Sequence, residues 1–397
     1  MRILVLTTDY PSYLTWLYER NPGLAEASYA EQHKIRGDSL FGVADFYSRN
    51  FGDLGHQAVE IHVNNIWMQS AWAREQGMSV PVPPPATAHE SLETSALVMR
   101  LKRKLRPYRA ALAPLAKRLG FRLALKPAER QILMAQIEAM NPDVILNQEL
   151  DVIGSDIMHA VKRPGRVIIA QYGNEPPPDL DVTPYNFGVS LIPFIVDFYR
   201  QRGLPAEQVH LGFEPSVLDR LGPAPVKDIE VSFVGNLSSG HGKRIELLEA
   251  IAREFPIQLW LPNLKGIARN SPLHDHYRGE AWGYEMYNVL RRSKITLNSH
   301  IDAARGMAGN MRLYEATGVG TFLLTDDLPN LPSLFEPGVH VGTYDSIEDC
   351  LQKVRRYLKD DVERENIAHA GQAHTLHNHT YRQRVEQLLS LIGRYAS

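Results

Sequence analysis

Residues 294–326 hold the side chains that are best suited to chemistry. Asn298 and Asp326 each follow a short apolar run, and between these runs Arg312 and Glu315 lie three residues apart. An arginine offers a planar set of donors to phosphate oxygens. A glutamate can accept both hydrogen bonds of a ribose diol. The combination suits a ligand with phosphate at one end and hydroxyls at the other, and a nucleotide sugar is such a ligand.

A glycine-rich loop earlier in the chain is a second candidate for ligand binding. Gly235 and Asn236 follow a strand-like run, and Arg244 falls in the first turn of the helix predicted next. Glycine lets the backbone approach a pyrophosphate, and a helix N-terminus favours anions. The alternative is an ordinary turn with a solvent-exposed Arg244. Trp282 leaves a similar choice between stacking on a nucleotide base and packing in a core.

These residues need elements that bring them to one edge of a sheet. Apolar runs that alternate with helical patterns predict βαβ units and parallel sheets, and ligands bind at the carboxyl ends of parallel strands. We therefore predict an α/β fold. The predicted strands are 2–7, 58–63, 143–147, 166–170, 230–235, 258–261, 294–297, 320–325 and 339–341, and the predicted helices include 41–54, 312–317 and 380–395.

Length and composition restrict the class of protein. A chain of 397 residues with 44% hydrophobic and 22% charged residues suits two globular domains. The net charge of −2 gives no general attraction to nucleic acid, and we expect no nucleic-acid partner. The single cysteine, Cys350, excludes an intramolecular disulfide. We find no signal peptide, membrane-spanning run or metal-ligand framework, and so expect a cytoplasmic protein without a metal or other cofactor.

The domain boundary is expected in the Pro- and Gly-rich stretch near 212–228. Residues 100–130 stand apart, because they hold eleven Lys or Arg against one acid, Glu129. We interpret about 97–135 as a basic helical insertion. Its two open roles are a solvated surface, or contact with an anionic acceptor or a membrane surface.

Residues 229–390 contain five ordered blocks: Val231–Asn236 with Arg244, Gly283–Tyr287 with Ser293–Asn298, Arg312–Gly318, Leu334–Gly338 and His379–Arg382. These blocks resemble the CgeB-like (spore maturation protein) glycosyltransferases, which are relatives of the GT-B superfamily. The first half resembles this family more loosely, through Gly37–Gly42 and Leu54-Gly55-His56.

The resemblance implies two Rossmann-like parallel-sheet domains that face a central cleft. Residues 1–215 would bind the acceptor, residues 226–379 the nucleotide sugar, and helix 380–397 would pack back on the first domain. The implied activity is a metal-independent, hexosyltransferase-like transfer of a sugar to an acceptor hydroxyl. The residues implied for the donor are Gly235, Asn236, Arg244, Trp282, Asn298, Arg312 and Glu315.

Several features of the reaction stay open at this stage. UDP-, GDP- and dTDP-sugars are not distinguished, and the acceptor can be a glycan, a protein, a small molecule or a lipid-linked group. The oligomeric state is not determined by the sequence. Retaining relatives often carry an acid eight positions before the ribose-binding glutamate, where this chain has Met307. That departure puts a retaining reaction in doubt.

Four first-half carboxylates are candidates for the general base of an inverting transfer. Asp38 is the first choice, because it lies in a block of the family resemblance, and Asp9 is the second; Glu149 and Glu175 complete the set. Two alternative functions remain: a non-catalytic nucleotide-sugar-binding protein of surface or spore assembly, and a GT-B epimerase or phosphorylase.

Overall fold

The computed structural model describes residues 1–79, 125–177, 179–237, 242–300 and 305–396. Most of the basic insertion predicted over about 97–135 therefore lies outside the described residues. The chain divides into two compact units. Unit 1 comprises Met1–Asp38, Phe51–Glu207 and Ile392–Ser397, and unit 2 comprises Ser39–Asn50 and Gln208–Leu391.

Unit 1 is built on a six-stranded sheet in the spatial order β2-β1-β3-β4-β5-β6, in which β1 to β5 pair in parallel. The central strands are buried along almost their whole length, so both faces of the sheet are covered. The strands are β1 Arg2–Thr7, β2 Gln57–His62, β3 Val144–Asn147, β4 Val167–Gln171, β5 Phe187–Ser190 and β6 Ala206–Gln208.

Unit 2 contains a five-stranded parallel sheet in the order β11-β10-β9-β7-β8. In its core, strand residues such as Ile295 and Leu324 pack with helix residues such as Leu248. The strands are β7 Ile229–Val234, β8 Ile257–Trp260, β9 Ser293–Leu297, β10 Phe322–Asp326 and β11 Gly342–Tyr344.

Helices connect the strands, and several begin at a polar cap. Asn65 accepts a hydrogen bond from the Met68 N–H, and Ser346 accepts one from the Asp349 N–H. The helices that begin before residue 208 are α1 Pro11–Arg20, α2 Tyr29–Asp38, α3 Phe46–Asp53, α4 Ile66–Glu75, α5 Pro127–Met140, α6 Ser155–Val161 and α7 Pro193–Gln201. The later helices are α8 Ser216–Leu221, α9 Gly242–Glu254, α10 Leu273–His276, α11 Gly283–Arg292, α12 Met311–Gly318, α13 Ile347–Lys359, α14 Asp361–Asn378 and α15 Tyr381–Tyr395.

Most predicted elements are confirmed, and two are wrong in position. The helix predicted over 41–54 begins only at Phe46, because Gly42 and Ala44 both have positive φ and interrupt a helix there. The strand predicted over 339–341 is instead β11, which starts at Gly342, and the preceding residues form a turn. The short strands β5 and β6 were not predicted from the sequence.

The predicted class of two Rossmann-like parallel-sheet domains is confirmed by the two sheets. The domain limits inferred from the sequence stay a prediction. Within the described ranges, every helix is too short or too polar to span a lipid bilayer.

The buried side chain of His379 makes the stability of the protein depend on pH. Its Nε2 lies 3.0 Å from the Leu334 carbonyl oxygen, its Nδ1 lies 2.7 Å from an Arg384 guanidinium nitrogen, and its ring stacks on Phe335. Burial, and then the Arg384 charge, lower the pKa of His379 to about 4. The folded protein therefore holds this imidazole neutral, whereas the unfolded chain protonates it below its ordinary pKa of about 6.5.

We expect the stabilising contribution of His379 to be fully present above pH 6.5. The free energy of unfolding should then fall by ~1–2 kcal/mol between pH 7 and pH 5 because of this residue. Urea denaturation of the wild type and of His379→Gln at both pH values measures this contribution. The variant should show a smaller pH dependence, and the exposed-residue control His369→Gln should match the wild type. Identical pH dependence in all three proteins would contradict the assignment.

Candidate functional site in unit 2

The order of the strands in unit 2 marks one place for a ligand. From β7 the chain moves to β8 on one side and later to β9 on the other, so the order reverses between β7 and β9. In open parallel sheets ligands bind at this reversal, beyond the carboxyl ends of the strands. The loops that leave these ends carry Gly235, Asn236 and Asn298, three of the predicted site residues.

Arg244 ties the two loops together. Its Nη1 donates to the Asn236 carbonyl oxygen at 3.0 Å, and its Nη2 donates to the Ser299 carbonyl oxygen. Gly235 fixes the start of the first loop, because its N–H donates to the Trp260 carbonyl oxygen at 3.1 Å. The guanidinium of Arg244 thus organises backbone at the strand ends, a role that the sequence did not suggest.

Arg312 and Glu315 form a buried ion pair on α12. Arg312 Nη1 lies 2.8 Å from Glu315 Oε2, and only 13% and 8% of the two side chains are exposed. Arg312 Nη2 also donates to the Val234 carbonyl oxygen, at 3.1 Å, and so reaches the last residue of β7. Burial raises the pKa of Glu315 against the lowering effect of Arg312. The pair is therefore a buried feature of the strand edge, unlike a solvated surface pair.

The same arginine carries a donor that the protein leaves unused. Within the part of the chain that the structure describes, the buried Nε of Arg312 has no hydrogen-bond partner. Only one oxygen of Glu315 is bonded there, since Arg312 contacts Oε2. Unsatisfied buried polar groups are uncommon in native proteins and often mark functional positions.

Asn298 joins the end of β9 to the start of α12. Its side-chain amide exchanges hydrogen bonds with Asn310, at 2.8 and 3.2 Å, and donates to Thr325 Oγ1 at 3.0 Å. Asn310 immediately precedes α12. Asn298 thereby fixes where this helix begins. The hydrogen bonds between Asn298 and Asn310 hold the N-terminal end of the helix next to the loop that follows β9.

His300 and Asp326 belong to the same edge. The sequence alone places Asp326 at a strand end but assigns neither residue to donor binding. His300 Nδ1 lies 2.7 Å from Asp326 Oδ1, and His300 Nε2 accepts from the Gly309 N–H at 3.2 Å. Burial raises the pKa of Asp326, but the hydrogen bonds and charge of His300 outweigh burial and leave that pKa below its ordinary value. Asp326 is the last residue of β10 and His300 lies three residues after β9, and this position at strand ends was the signal that could have identified them.

Trp282 occupies a packed position in unit 2. Its ring meets Phe41 edge to face at a centroid distance of 5.0 Å, and its Nε1 donates to Glu280 at 2.8 Å. The next residue, Gly283, has φ +48°, and a Cβ there would lie 1.9 Å from the Ser39 carbonyl oxygen. The segment Ser39–Asn50 therefore packs directly onto the loop that carries Trp282.

The two predicted catalytic aspartates lie in unit 1, in contrasting surroundings. Asp9 is fully buried, with Arg36 Nη2 at 2.6 Å and His62 Nδ1 at 3.2 Å. Burial raises the pKa of Asp9, but Arg36 and His62 together hold that pKa far below its ordinary value. Asp38 is exposed at the end of α2 and pairs with Lys34. Asp9 is thus held ionised, with its oxygens already occupied.

The described residues hold no group of three or more His, Cys, Asp or Glu side chains arranged to bind a metal ion. The polar groups at the unit 2 edge are instead arginines, amides and one His–Asp pair. Such an edge can bind an anion through guanidinium groups and the N–H groups that a helix N-terminus leaves unpaired. It can also bind hydroxyl groups through the carboxylate of Glu315.

Residues 243–390 match the model of a family described as glycosyl transferase-like. No curated protein sequence matches the chain significantly. The matched range includes Arg244, Trp282, Asn298, Arg312 and Glu315.

Solved glycosyltransferase structures share the fold over nearly the whole chain. A glycosyltransferase from Rickettsia africae is 10% identical, with a TM-score of 0.54 over 99% of this chain and 98% of that chain. HepE from Anabaena, solved with UDP-glucose, is 13% identical, with a TM-score of 0.56 over 99% and 100%. Sucrose-phosphate synthase from Thermosynechococcus elongatus is 12% identical, with a TM-score of 0.56 over 99% and 98%. At these identities the likeness shows the fold, which is that of GT-B glycosyltransferases.

The buried ion pair predicts an asymmetric mutational response. Arg312→Met leaves the Glu315 charge buried alone and should lower the free energy of unfolding by ~3 kcal/mol. The double variant Arg312→Met/Glu315→Leu removes both charges and should lose less. Urea denaturation measures both. The control is Arg382→Met, which breaks the exposed pair with Glu386 and should cost less than ~1 kcal/mol. Equal losses in the single and double variants would contradict a buried pair.

Proposed function

We propose that this protein is a glycosyltransferase that moves a sugar from a nucleotide-sugar donor to an acceptor hydroxyl. The observation that carries the proposal is the buried Arg312–Glu315 pair at the β7–β9 strand edge, inside the range that matches a glycosyl transferase-like family. The acceptor oxygen forms a bond to the anomeric carbon of the donor. The bond from that carbon to the diphosphate breaks, and its electron pair leaves with the nucleoside diphosphate.

Unit 2 offers a binding group for both the phosphate and the ribose of the proposed nucleotide-sugar donor. The partly exposed Arg312 guanidinium supplies positive charge for a phosphate group, and the start of α12 adds backbone N–H groups. Glu315 has Oε1 available for a ribose hydroxyl while Oε2 stays on Arg312. Arg244 acts by holding the loops of Gly235, Asn236 and Ser299 in place, and its charge adds to the positive potential there.

The proposed reaction needs no metal ion. The leaving diphosphate develops negative charge, and guanidinium groups with helix N-termini can stabilise that charge directly. Since HepE of Anabaena has the same fold and is solved with UDP-glucose, UDP-glucose is the first donor to test. The proposal leaves GDP- and dTDP-sugars as further donors to compare, and does not specify the acceptor.

Donor binding should depend on the Glu315 carboxylate. Glu315→Gln retains the shape but replaces one acceptor oxygen with a donor, so the Kd for the nucleoside diphosphate should rise about tenfold, which is ~1.4 kcal/mol. Isothermal titration calorimetry with UDP, GDP and dTDP measures this change. The matched control is Glu246→Gln on the exposed side of α9, which should bind like the wild type. Unchanged affinity in Glu315→Gln would refute the ribose role.

Turnover of the nucleotide sugar should survive EDTA. We expect equal rates of nucleoside diphosphate release before and after chelation, because arginines and backbone N–H groups supply the positive charge. A coupled assay for nucleoside diphosphate gives the rate. Loss of activity with EDTA that Mn²⁺ or Mg²⁺ restores would contradict metal independence. Tight donor binding without hydrolysis or transfer would favour a non-catalytic binding protein.

A further inference from the structure

A buried histidine of unit 2 holds the backbone that leads into α12. Only 4% of the His300 side chain is exposed. The Gly309 N–H, two residues before the first residue of α12, donates to His300 Nε2 at 3.2 Å. Gly309 has φ +143°, a backbone conformation that favours glycine. The approach of the chain to this helix therefore depends on one side-chain acceptor.

The direction of this hydrogen bond fixes the protonation state of the imidazole. A backbone N–H can only donate, so Nε2 must present its lone pair to Gly309. The single ring proton of the neutral imidazole then lies on Nδ1, which donates to Asp326 Oδ1 at 2.7 Å. An imidazolium would point a second N–H at the N–H of Gly309. The geometry therefore requires a neutral His300 that carries its proton on Nδ1.

Asp326 is itself held in place by neighbouring donors. Its carboxylate accepts from the His300 backbone N–H, at 3.0 Å to Oδ2, and from the Thr325 hydroxyl, at 3.0 Å to Oδ1. A fixed carboxylate on one ring nitrogen sets which nitrogen of a histidine carries the proton and which stays free to accept. Asp326 thus orients the ring so that Nε2 faces Gly309.

Other titratable and charged groups reach this corner from β11 and α9. Tyr344 Oη donates to the Asn298 carbonyl oxygen at 2.7 Å, and Arg244 Nη2 donates to the Ser299 carbonyl oxygen. These contacts hold the two residues that precede His300. The ion-pair partner of His300 in the described part of the chain is Asp326. A second proton on the ring would therefore act first on the Gly309 hydrogen bond.

The first backbone N–H groups of α12 are suited to contact a diphosphate. Asn310 stands at the N-cap position, but it makes no side-chain capping bond to the described helix, because its amide is bonded to Asn298. The first N–H groups of a helix have no partner within the helix, and they favour an anion. The partly exposed Arg312 guanidinium in the same turn adds positive charge.

We propose that His300 is a positioning residue of the donor site, which holds Gly309 so that the first N–H groups of α12 meet the diphosphate of a nucleotide sugar. This proposal rests on the proposed glycosyltransferase function. The neutral imidazole is then the form that supports binding. A proton on Nε2 removes the acceptor of the Gly309 N–H, so donor affinity falls in acid. Asp326 acts through His300 by keeping the ring proton on Nδ1.

Two substitutions separate the two hydrogen bonds of the ring. His300→Gln places an amide oxygen near the position of Nε2, where it can accept from Gly309, whereas the shorter His300→Asn replaces only the Nδ1 donor. Isothermal titration calorimetry with UDP-glucose compares them. We expect the Kd to stay within about threefold of the wild type in His300→Gln and to rise about tenfold in His300→Asn. The matched control, His369→Asn at an exposed position of α14, should bind like the wild type.

The pH profile of binding is a readout that a purely structural role would not move. UDP-glucose is a diphosphate diester and lacks the terminal phosphate ionisation near about pH 6, so its charge stays constant. The wild-type Kd should rise between about pH 8 and pH 5.5, the range in which histidines titrate. His300→Gln should lose most of that rise, because an amide does not titrate. Circular dichroism checks that each protein stays folded at both pH values.

Histidine ¹⁵N NMR of the wild type reads the tautomer directly, and the His300 signal is the one that His300→Gln lacks. We expect a protonated Nδ1 and an unprotonated Nε2 at neutral pH. A proton on Nε2 would overturn the proposal, as would a wild-type Kd that pH leaves unchanged. Equal affinities of His300→Asn and the wild type, or equal losses in His300→Asn and His300→Gln, would do the same.

Failure of the proposed function gives a different result. If the wild type binds no UDP-, GDP- or dTDP-sugar, the glycosyltransferase proposal is refuted and the donor role of His300 with it, even where the NMR spectrum shows the expected tautomer. Binding by the wild type that does not respond to His300→Asn or to pH refutes the role of His300 alone.

Discussion

The buried pair of Arg312 and Glu315 is the constraint on which the architecture of unit 2 depends. Removing two charges from water costs several kcal/mol per ion, and their attraction offsets this cost only when the remaining donors and acceptors find partners. Arg312 finds the carbonyl oxygen of Val234 as well as Glu315. The pair therefore requires β7 to end where it does and α12 to start where Asn298 and Asn310 place it.

The two arginines at this edge, Arg244 and Arg312, use their hydrogen-bond donors differently. Arg244 donates hydrogen bonds to the carbonyl oxygens of Asn236 and Ser299, whereas the buried Nε of Arg312 has no hydrogen-bond partner among the described residues. His300 and Asp326 fix the backbone at Gly309, just before α12. One group of side chains thus sets the loop geometry, and a smaller group remains for the ligand contacts that we propose. A preorganised site of this type avoids reorganisation cost when charge develops on the leaving group.

Unit 1 uses burial in two opposite ways. At Asp9, burial is outweighed by Arg36 and His62, so the carboxylate stays charged and becomes a fixed part of the structure. At Glu149, burial and two neighbouring negative charges act together, and only neutral Thr8 donors oppose them. Two carboxylates near one strand reversal therefore differ in proton affinity because of their partners, a difference suited to separate structural and chemical roles.

The sequence by itself determined most of the parallel strands and the C-terminal helix α15, and it placed the candidate site residues Arg312 and Glu315 on one helix. These features are local, because apolar runs, glycine-bounded turns and residue spacing follow from neighbours in the chain. The helix expected from Phe41 failed locally too, since positive φ at Ala44 depends on packing that residue types do not reveal.

Only the tertiary structure decided the partners. Asp9 meets Arg36 and His62, Trp282 meets Phe41, and Arg244 meets the carbonyl oxygen of Ser299, at separations of 27 to 241 residues along the chain. Asp9 is thereby a member of a buried ion pair, and which first-half carboxylate acts as the base stays a prediction. Proton affinity depends on burial and on nearby charges, and strand order in space sets both, so the sequence without the fold could not rank these carboxylates.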